Sequence, residues 1–305
     1  MEKKHFCSFC LYAICAIFFS VFLSSCLGDD PFEKQRQADA STIRNYVAAQ
    51  KLKGAFTASG LYFDTISIDS FKRNSQKVTL TDVVEMSYKI YDLQGILLAK
   101  SDKYIVQPQV GTFFAGLSEG ILLTREGQTS IFIVPSLLAL GSNSTTIGST
   151  VLPPNSCLRI EVKITDVRTS AEQDVLESRI IRNHIAKNNL TITKDSAGVI
   201  FVRQTTVPTG TSFKIGDQVS NIAYTGITIA YTGVASDDRQ FDKGVLEFRP
   251  LEGYVKGFMA GITMMRAGET GYIYMISSLG YGAAGSSGKI APYTPLRFEI
   301  TGLTK

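Results

Sequence analysis

The side chains suited to thiol, metal or strong acid–base chemistry are few and concentrated away from the body of the chain. Of five cysteines, Cys7, Cys10, Cys15 and Cys26 fall within the first 26 residues, which leaves Cys157 alone beyond them. No internal disulfide can form there, and Cys157, just before an apolar strand position, reads as a small buried hydrophobe. Past His5 the sole histidine is His184, so a His-rich zinc site and most histidine-based triads are unavailable, while carboxylate chemistry stays open. The net charge of +4 is spread without Lys/Arg blocks and gives no footprint for nucleic acid. What remains is recognition by aromatic side chains. Tyr281 sits in the Gly-rich run from Gly280 to Gly288, where a large ring has no core reason to be and reads as ligand-facing. That run lacks the Lys-Ser/Thr ending of a phosphate-binding loop. Tyr224 and Phe298 lie on alternating strands and read equally well as pocket or core residues.

The elements that must position these residues begin with an address. Lys3 and Lys4 precede an apolar run from Phe9 to Leu23, shorter than the roughly 20 residues of a spanning helix, and then Leu23-Ser24-Ser25-Cys26. The tetrapeptide resembles the lipobox of bacterial lipoproteins. That resemblance implies a signal peptide over 1–25, lipid attachment at Cys26 and anchoring to a membrane of the cell envelope, most naturally the outer membrane, by several acyl chains. The Cys7-x-x-Cys10 pair then belongs to a discarded segment and carries no redox role. Residues 26–38 read as a charged tether.

The remaining chain repeats itself. Ile43-Arg44-Asn45-Tyr46 returns as Ile181-Arg182-Asn183-His184, and Ser59-Gly60-Leu61-Tyr62-Phe63 as Ala197-Gly198-Val199-Ile200-Phe201, both offset by 138 residues. Arg125-Glu126-Gly127-Gln128 and Arg266-Ala267-Gly268-Glu269 follow in the same order, as do Pro153-Pro154 and Ala291-Pro292. A period this long makes the unit a domain rather than a solenoid blade. The chain divides into units of 39–168 and 173–305, with a hinge near 169–172. Each unit opens with a helix whose apolar face carries Ile43, Tyr46 and Val47, or Ile181, His184 and Ile185, at i, i+3, i+4 spacing. His184 on such a face is a core residue far sooner than a catalytic one. Each unit closes on a strand of period-two alternation: Leu158, Ile160, Val162, Ile164 in one, Leu296, Phe298, Ile300 in the other. A short helix lies between, with Phe114, Leu117 and Ile121, or Val255, Phe258, Met259 and Ile262, on one face. The pattern predicts an α+β fold, each unit an antiparallel sheet with one wet face wrapped on a short helix and preceded by an N-terminal helix. The Ser/Thr-rich stretch from Gly141 to Thr150 reads as a flexible loop.

Taken in order, Ile222-Ala223-Tyr224-Thr225-Gly226, Tyr254-Val255-Lys256-Gly257-Phe258, Arg266-Ala267-Gly268-Glu269, Ser278-Leu279-Gly280-Tyr281-Gly282, Ile290-Ala291-Pro292 and Leu296-Arg297-Phe298 resemble the FKBP-type peptidyl-prolyl isomerase family. The first unit resembles it more faintly through Tyr88, Phe113-Phe114-Ala115-Gly116-Leu117 and Val151-Leu152-Pro153-Pro154. The leader helix and following strand look like those of FKBP-like lipoproteins of the Bacteroidetes. The resemblance implies two FKBP-like domains that use no cofactor and no metal and act on proline-containing peptides or envelope proteins. It implies catalytic roles for Tyr224, Phe258, Tyr281 and Phe298, with Tyr281 bonding the substrate backbone. Val234, Phe248, Val255 and Ile290, with Tyr88 in the first unit, would contact substrate. An X-Pro bond rotates over a barrier of about 18–20 kcal/mol, and a dry aromatic pocket lowers it without acid, base or metal.

Two departures divide the expected activity between the units. Where the family commonly carries Phe-Asp after the first hairpin strand, the spacing puts Val234-Ala235, so the carboxylate is missing unless Asp237 or Asp238 swings in. The first unit has Leu98-Ala99 at that dipeptide, Leu117 at the pocket floor, Leu140 for the loop tyrosine and Ile160 for the last-strand aromatic. Activity is therefore expected in the second unit, with the first kept for binding or spacing. The rival reading makes both units catalytically silent peptide- or partner-binding modules. Carbohydrate binding has little behind it in a chain without tryptophan.

Overall fold

The computed structural model describes residues 30–304 apart from 73–74, 215–216, 218, 233–236, 249–253 and 287. Helix α1 (Pro31–Ala49) leads into strands β1 (Ala55–Phe56), β2 (Tyr62–Ile68), β3 (Val83–Asp92) and β4 (Leu97–Val106), then helix α2 (Ala115–Leu122). Strand β5 (Gln128–Val134), the short pair β6 (Thr145–Ile147) and β7 (Thr150–Leu152), and β8 (Leu158–Arg168) complete the first unit. Helix α3 (Ser170–Lys187) opens the second, followed by β9 (Lys194–Ser196), β10 (Val199–Thr205), β11 (Val219–Thr228), β12 (Arg239–Phe248), helix α4 (Lys256–Thr263), β13 (Thr270–Met275) and β14 (Leu296–Thr304).

Both units build the same antiparallel six-stranded sheet. Its order is β1-β2-β5-β8-β3-β4 in the first and β9-β10-β13-β14-β11-β12 in the second, so each strand of one has its counterpart in the other. The last strands alternate as expected, with Leu158, Ile160, Val162 and Ile164 buried. The middle strands do not have a wet face. In β5, Phe132 and Val134 pack towards α2, while Ile131 and Ile133 join Ile43 of α1 on the opposite side. In β10, Val199 and Phe201 face the α4 core, whereas Ile200 and Val202 join Ile181 and Ile185 of α3. Period two thus divides one strand between two cores, and the leader helix covers the face that the sequence pattern predicts to be exposed.

The short helices lie unusually close to their sheets. A methyl group at Gly261 in α4 would stand 2.1 Å from Ile273 Cγ2, so only glycine lets the helix backbone approach β13 at that distance. The helix ends differ from expectation in two places. Residues 31–38, predicted as tether, are helical, because Asp30 accepts from the Phe32 N–H and Pro31 supplies the helical φ of the first turn. The predicted hinge at 169–172 is a helix start: Thr169 caps α3 in a reciprocal box with Glu172. The stretch from Gly141 to Thr150 carries the β6–β7 pair rather than a structureless loop. Cys157 is buried as predicted, and burial pushes its thiol up to about 12.

Candidate active site in the second unit

The edge hairpin, α4, the loop before β14 and β14 itself meet over a pocket of 190 Å³. It is lined by Tyr224, Asp242, Tyr254, Val255, Phe258, Tyr281 and Phe298. Tyr224 comes from β11 and Phe298 from the neighbouring β14, where Gly226 rather than a bulky residue stands opposite Phe298. Phe258 forms the floor, 3% exposed, 4.9 Å from the Phe298 ring and 6.2 Å from that of Tyr224, both edge-on. Val255 enters the pocket as the extended residue that begins α4. Tyr281, 36% exposed, closes the rim with its ring edge-on to Phe241 at 6.2 Å. Its loop is held by Gly285 at φ +64, where a Cβ would fall 2.3 Å from the Ile290 carbonyl oxygen.

The carboxylate predicted to be missing is present. Phe241-Asp242 on β12 places a Phe-Asp dipeptide beside the pocket, and the Tyr224 hydroxyl donates to Asp242 Oδ2 at 2.7 Å. The Lys243 N–H donates to Asp242 Oδ1 at 2.9 Å, fixing the carboxylate from its other side. Burial first, and then this bond to Asp242, push the Tyr224 phenol up to about 12, so it keeps its proton at any ordinary pH. Burial and the Asp242 charge likewise raise Tyr281. Asp237 and Asp238 do not swing in. Asp237 accepts from Thr232 Oγ1 at 2.7 Å, and Asp238 is bound by the Ala230 N–H and by the fully buried His184 Nε2 at 2.9 Å. His184 is the core residue its helix face predicts, packed on Tyr274 with ring centroids 5.7 Å apart.

Of the predicted site residues, Tyr224, Val255, Phe258, Tyr281 and Phe298 converge. Ile290 does not line this pocket: it is 5% exposed, packed in the same apolar cluster as Phe258 and Phe298 beneath the Tyr281 loop. Val234 and the side chain of Phe248 lie outside the described residues, as does Cys26. Tyr88 sits in the first unit, 5.3 Å from Phe113 and 5.6 Å from Tyr104, both edge-on. Opposite Ile90, where the second unit pairs Gly226 with Asp242, stands Ala99, so Tyr88 has no carboxylate there. Asp242, Tyr254 and Phe241 are the residues that spacing missed.

A second feature sets the Tyr281 loop. Glu177 of α3 is fully buried and accepts from the Ser277 N–H at 2.5 Å, Ser277 Oγ at 2.8 Å and Gln173 Nε2 at 2.6 Å. Ser277 starts the single 3-10 turn that ends just before Tyr281. The first unit repeats the clamp with Asp39, which accepts from the Ser136 N–H and Oγ and from Gln35.

The sequence around this pocket resembles that of known proteins. A family model described as FKBP-type peptidyl-prolyl cis-trans isomerase matches residues 212–302. An FK506-binding protein of Neisseria meningitidis serogroup C is 34% identical over 80 residues, which cover 24% of this chain and 73% of that protein. The chain belongs to the FKBP-type peptidyl-prolyl isomerase family. A macrophage infectivity potentiator of Trypanosoma cruzi is 34% identical over 77 residues, 24% of this chain, and the chain spans 39% of its length. Among solved structures, FkpA from Escherichia coli is 18% identical at a TM-score of 0.36, covering 56% of this chain and 75% of that one. The three FKBP domains of wheat FKBP73 are 15% identical at a TM-score of 0.34, covering 81% and 96%. Both sequence matches place the FKBP signature at about a quarter of the chain, and the family model puts it in the second unit, around the pocket just described. The first FKBP-like unit has the same strand order but keeps only Tyr88 of the matching aromatic positions, with Leu117, Leu140 and Ile160 at the others.

Proposed function

We propose that the chain is a working prolyl isomerase whose activity resides in the second unit, and that it is tethered by acylated Cys26 to a membrane of the bacterial envelope. The observation that carries the enzymatic part is the Tyr224–Asp242 hydrogen bond at the wall of a pocket in which five of seven lining residues are aromatic. A volume of 190 Å³ has room for one proline ring. The ring would rest on Phe258 between Tyr224 and Phe298, with the imide carbonyl held among rings that offer it little hydration. The planar imide is the more polar, resonance-stabilised form, so removing water costs it more than the twisted state. The rotated carbonyl and flanking backbone then need a fixed donor, a role that falls to the Tyr281 hydroxyl at the rim. Asp242 acts through Tyr224, as a positioning residue. No proton is transferred, consistent with phenols held protonated across the working range.

The first unit, with Ala99, Leu117, Leu140 and Ile160 at the matching places, is a binding or spacing domain in this reading. Its lack of the matching aromatic and carboxylate side chains favours the silent-module alternative for that unit alone.

The test is a protease-coupled assay of X-Pro tetrapeptides with the soluble chain from Asp30. A rate above the spontaneous one that Tyr281→Ala abolishes is expected; no rate from a chain that circular dichroism shows folded would leave a binding module. For the anchor, Cys26→Ser in the full-length chain is expected to move it from the membrane to the soluble fraction, and retention on the membrane would contradict lipid attachment there.

A further inference from the structure

A second cleft, distinct from the aromatic pocket, lies between the two units. It has a volume of 780 Å³, within the range of about 300–1,000 Å³ over which proteins enclose sizeable ligands. One wall belongs to the first unit: Val110, Thr112, Phe113 and Tyr104. The other is the far side of the loop that carries Tyr281, through Ala283, Ala284, Ser286 and residues 288–292. Tyr281 faces the 190 Å³ pocket, and Ala283 and Ala284, two and three residues on, already line the cleft. The two cavities therefore share one loop as a partition.

The first-unit wall is apolar and open. Phe113 is 45% exposed and Val110 50%, and the Phe113 ring lies tilted against Tyr104 at 4.8 Å and edge-on to Tyr88 at 5.3 Å. Exposed aromatic and aliphatic side chains gathered in a concavity mark a binding surface rather than incidental exposure. The walls are also fixed relative to each other. Val83 and Ile105 of the first unit pack with Tyr293 of the second in a buried cluster. The Lys103 ammonium lies 4.3 Å over the Tyr231 ring, and the Tyr231 hydroxyl donates to the Tyr293 carbonyl oxygen at 2.5 Å. A cleft held open this way loses little entropy when filled.

We propose that this inter-unit cleft is an accessory site for an extended, aromatic- or aliphatic-rich polypeptide segment adjoining the prolyl bond held in the Tyr281 pocket. The proposal rests on the isomerase reading for its occupant: a chain leaving the pocket past Tyr281 would cross the shared loop towards the cleft lined by Phe113 and Val110. It makes the preferred substrate an unfolded protein rather than a short peptide, and it gives the first unit a task that needs no catalysis.

The experiment compares an X-Pro tetrapeptide with longer peptides that carry the same core and a Phe/Leu-containing extension on its N-terminal or C-terminal side. Binding is read by fluorescence anisotropy and turnover by the coupled assay, for the unsubstituted chain, Phe113→Ser and Val110→Asp. One extended peptide is expected to bind about tenfold tighter than the tetrapeptide, with the ratio falling towards one in both variants. Equal affinity for short and long peptides, or a preference that survives both substitutions, would overturn the proposal. If no peptide is turned over but the preference is present and lost in the variants, the isomerase reading fails and the cleft site stands.

Discussion

At the scale of single residues, the Asp242 carboxylate separates an aromatic cavity from an organised site. Without its acceptor, the Tyr224 hydroxyl would be left part-desolvated with one bond unmade, and the ring would lose its fixed place in the wall. Asp242→Ala is expected to lower kcat/KM about tenfold, and Asp242→Asn, which keeps an acceptor oxygen, by less; equal losses in the two variants would point instead to the charge itself. Tyr224, Phe258, Tyr281 and Phe298 were legible because each lies within a short motif whose internal spacing is rigid. Asp242 was not, because its separation from Tyr224 runs through the connection between β11 and β12, and connections between strands vary in length. The dipeptide Phe241-Asp242 was in plain view in the sequence, and only strand pairing, Gly226 opposite Asp242, assigns it to the pocket.

At the scale of elements, the leader helices are more than lids on the sheets. Each inserts a buried carboxylate, Asp39 or Glu177, into the start of the 3-10 turn after β5 or β13, and in the second unit that turn delivers Tyr281. The repeat was readable from Ile43 and Ile181 onward, and the period-two pattern gave the strands. The clamp was missed because a polar residue on an amphipathic helix looks solvent-facing until the covered sheet face is known. Burial drives the Glu177 carboxyl up to about 7 against three donors that lower it, with Asp174 nearby adding to the rise. A folded value above the unfolded value near 4.3 means the folded state holds this proton more tightly. Its contribution to stability is full below about pH 4, is lost as pH rises to about 7, and is constant above. Urea unfolding of the unsubstituted chain and Glu177→Gln is therefore expected to diverge between pH 5 and 7.5, the former losing on the order of 2 kcal/mol relative to the variant. Parallel pH curves would show that Glu177 is ionised throughout.

At the scale of the whole molecule, the two units share one scaffold, and in the function proposed above they divide the work. The first unit retains the sheet order, the short helix and the leader clamp, while its pocket positions have drifted to Ala99, Leu117, Leu140 and Ile160. Drift of this kind leaves a stable domain because those positions remain apolar core, with Leu117 and Ile160 fully buried. Among the described residues no helix is long and apolar enough to cross a membrane. The central claim is that isomerisation belongs to the second unit's pocket. The most direct measurement is the coupled prolyl assay on the whole chain bearing Tyr281→Ala or, at the matching place in the first unit, Leu140→Ala. Loss of the rate in the first variant and its retention in the second are predicted; retention in the first, or equal loss in both, would contradict the account.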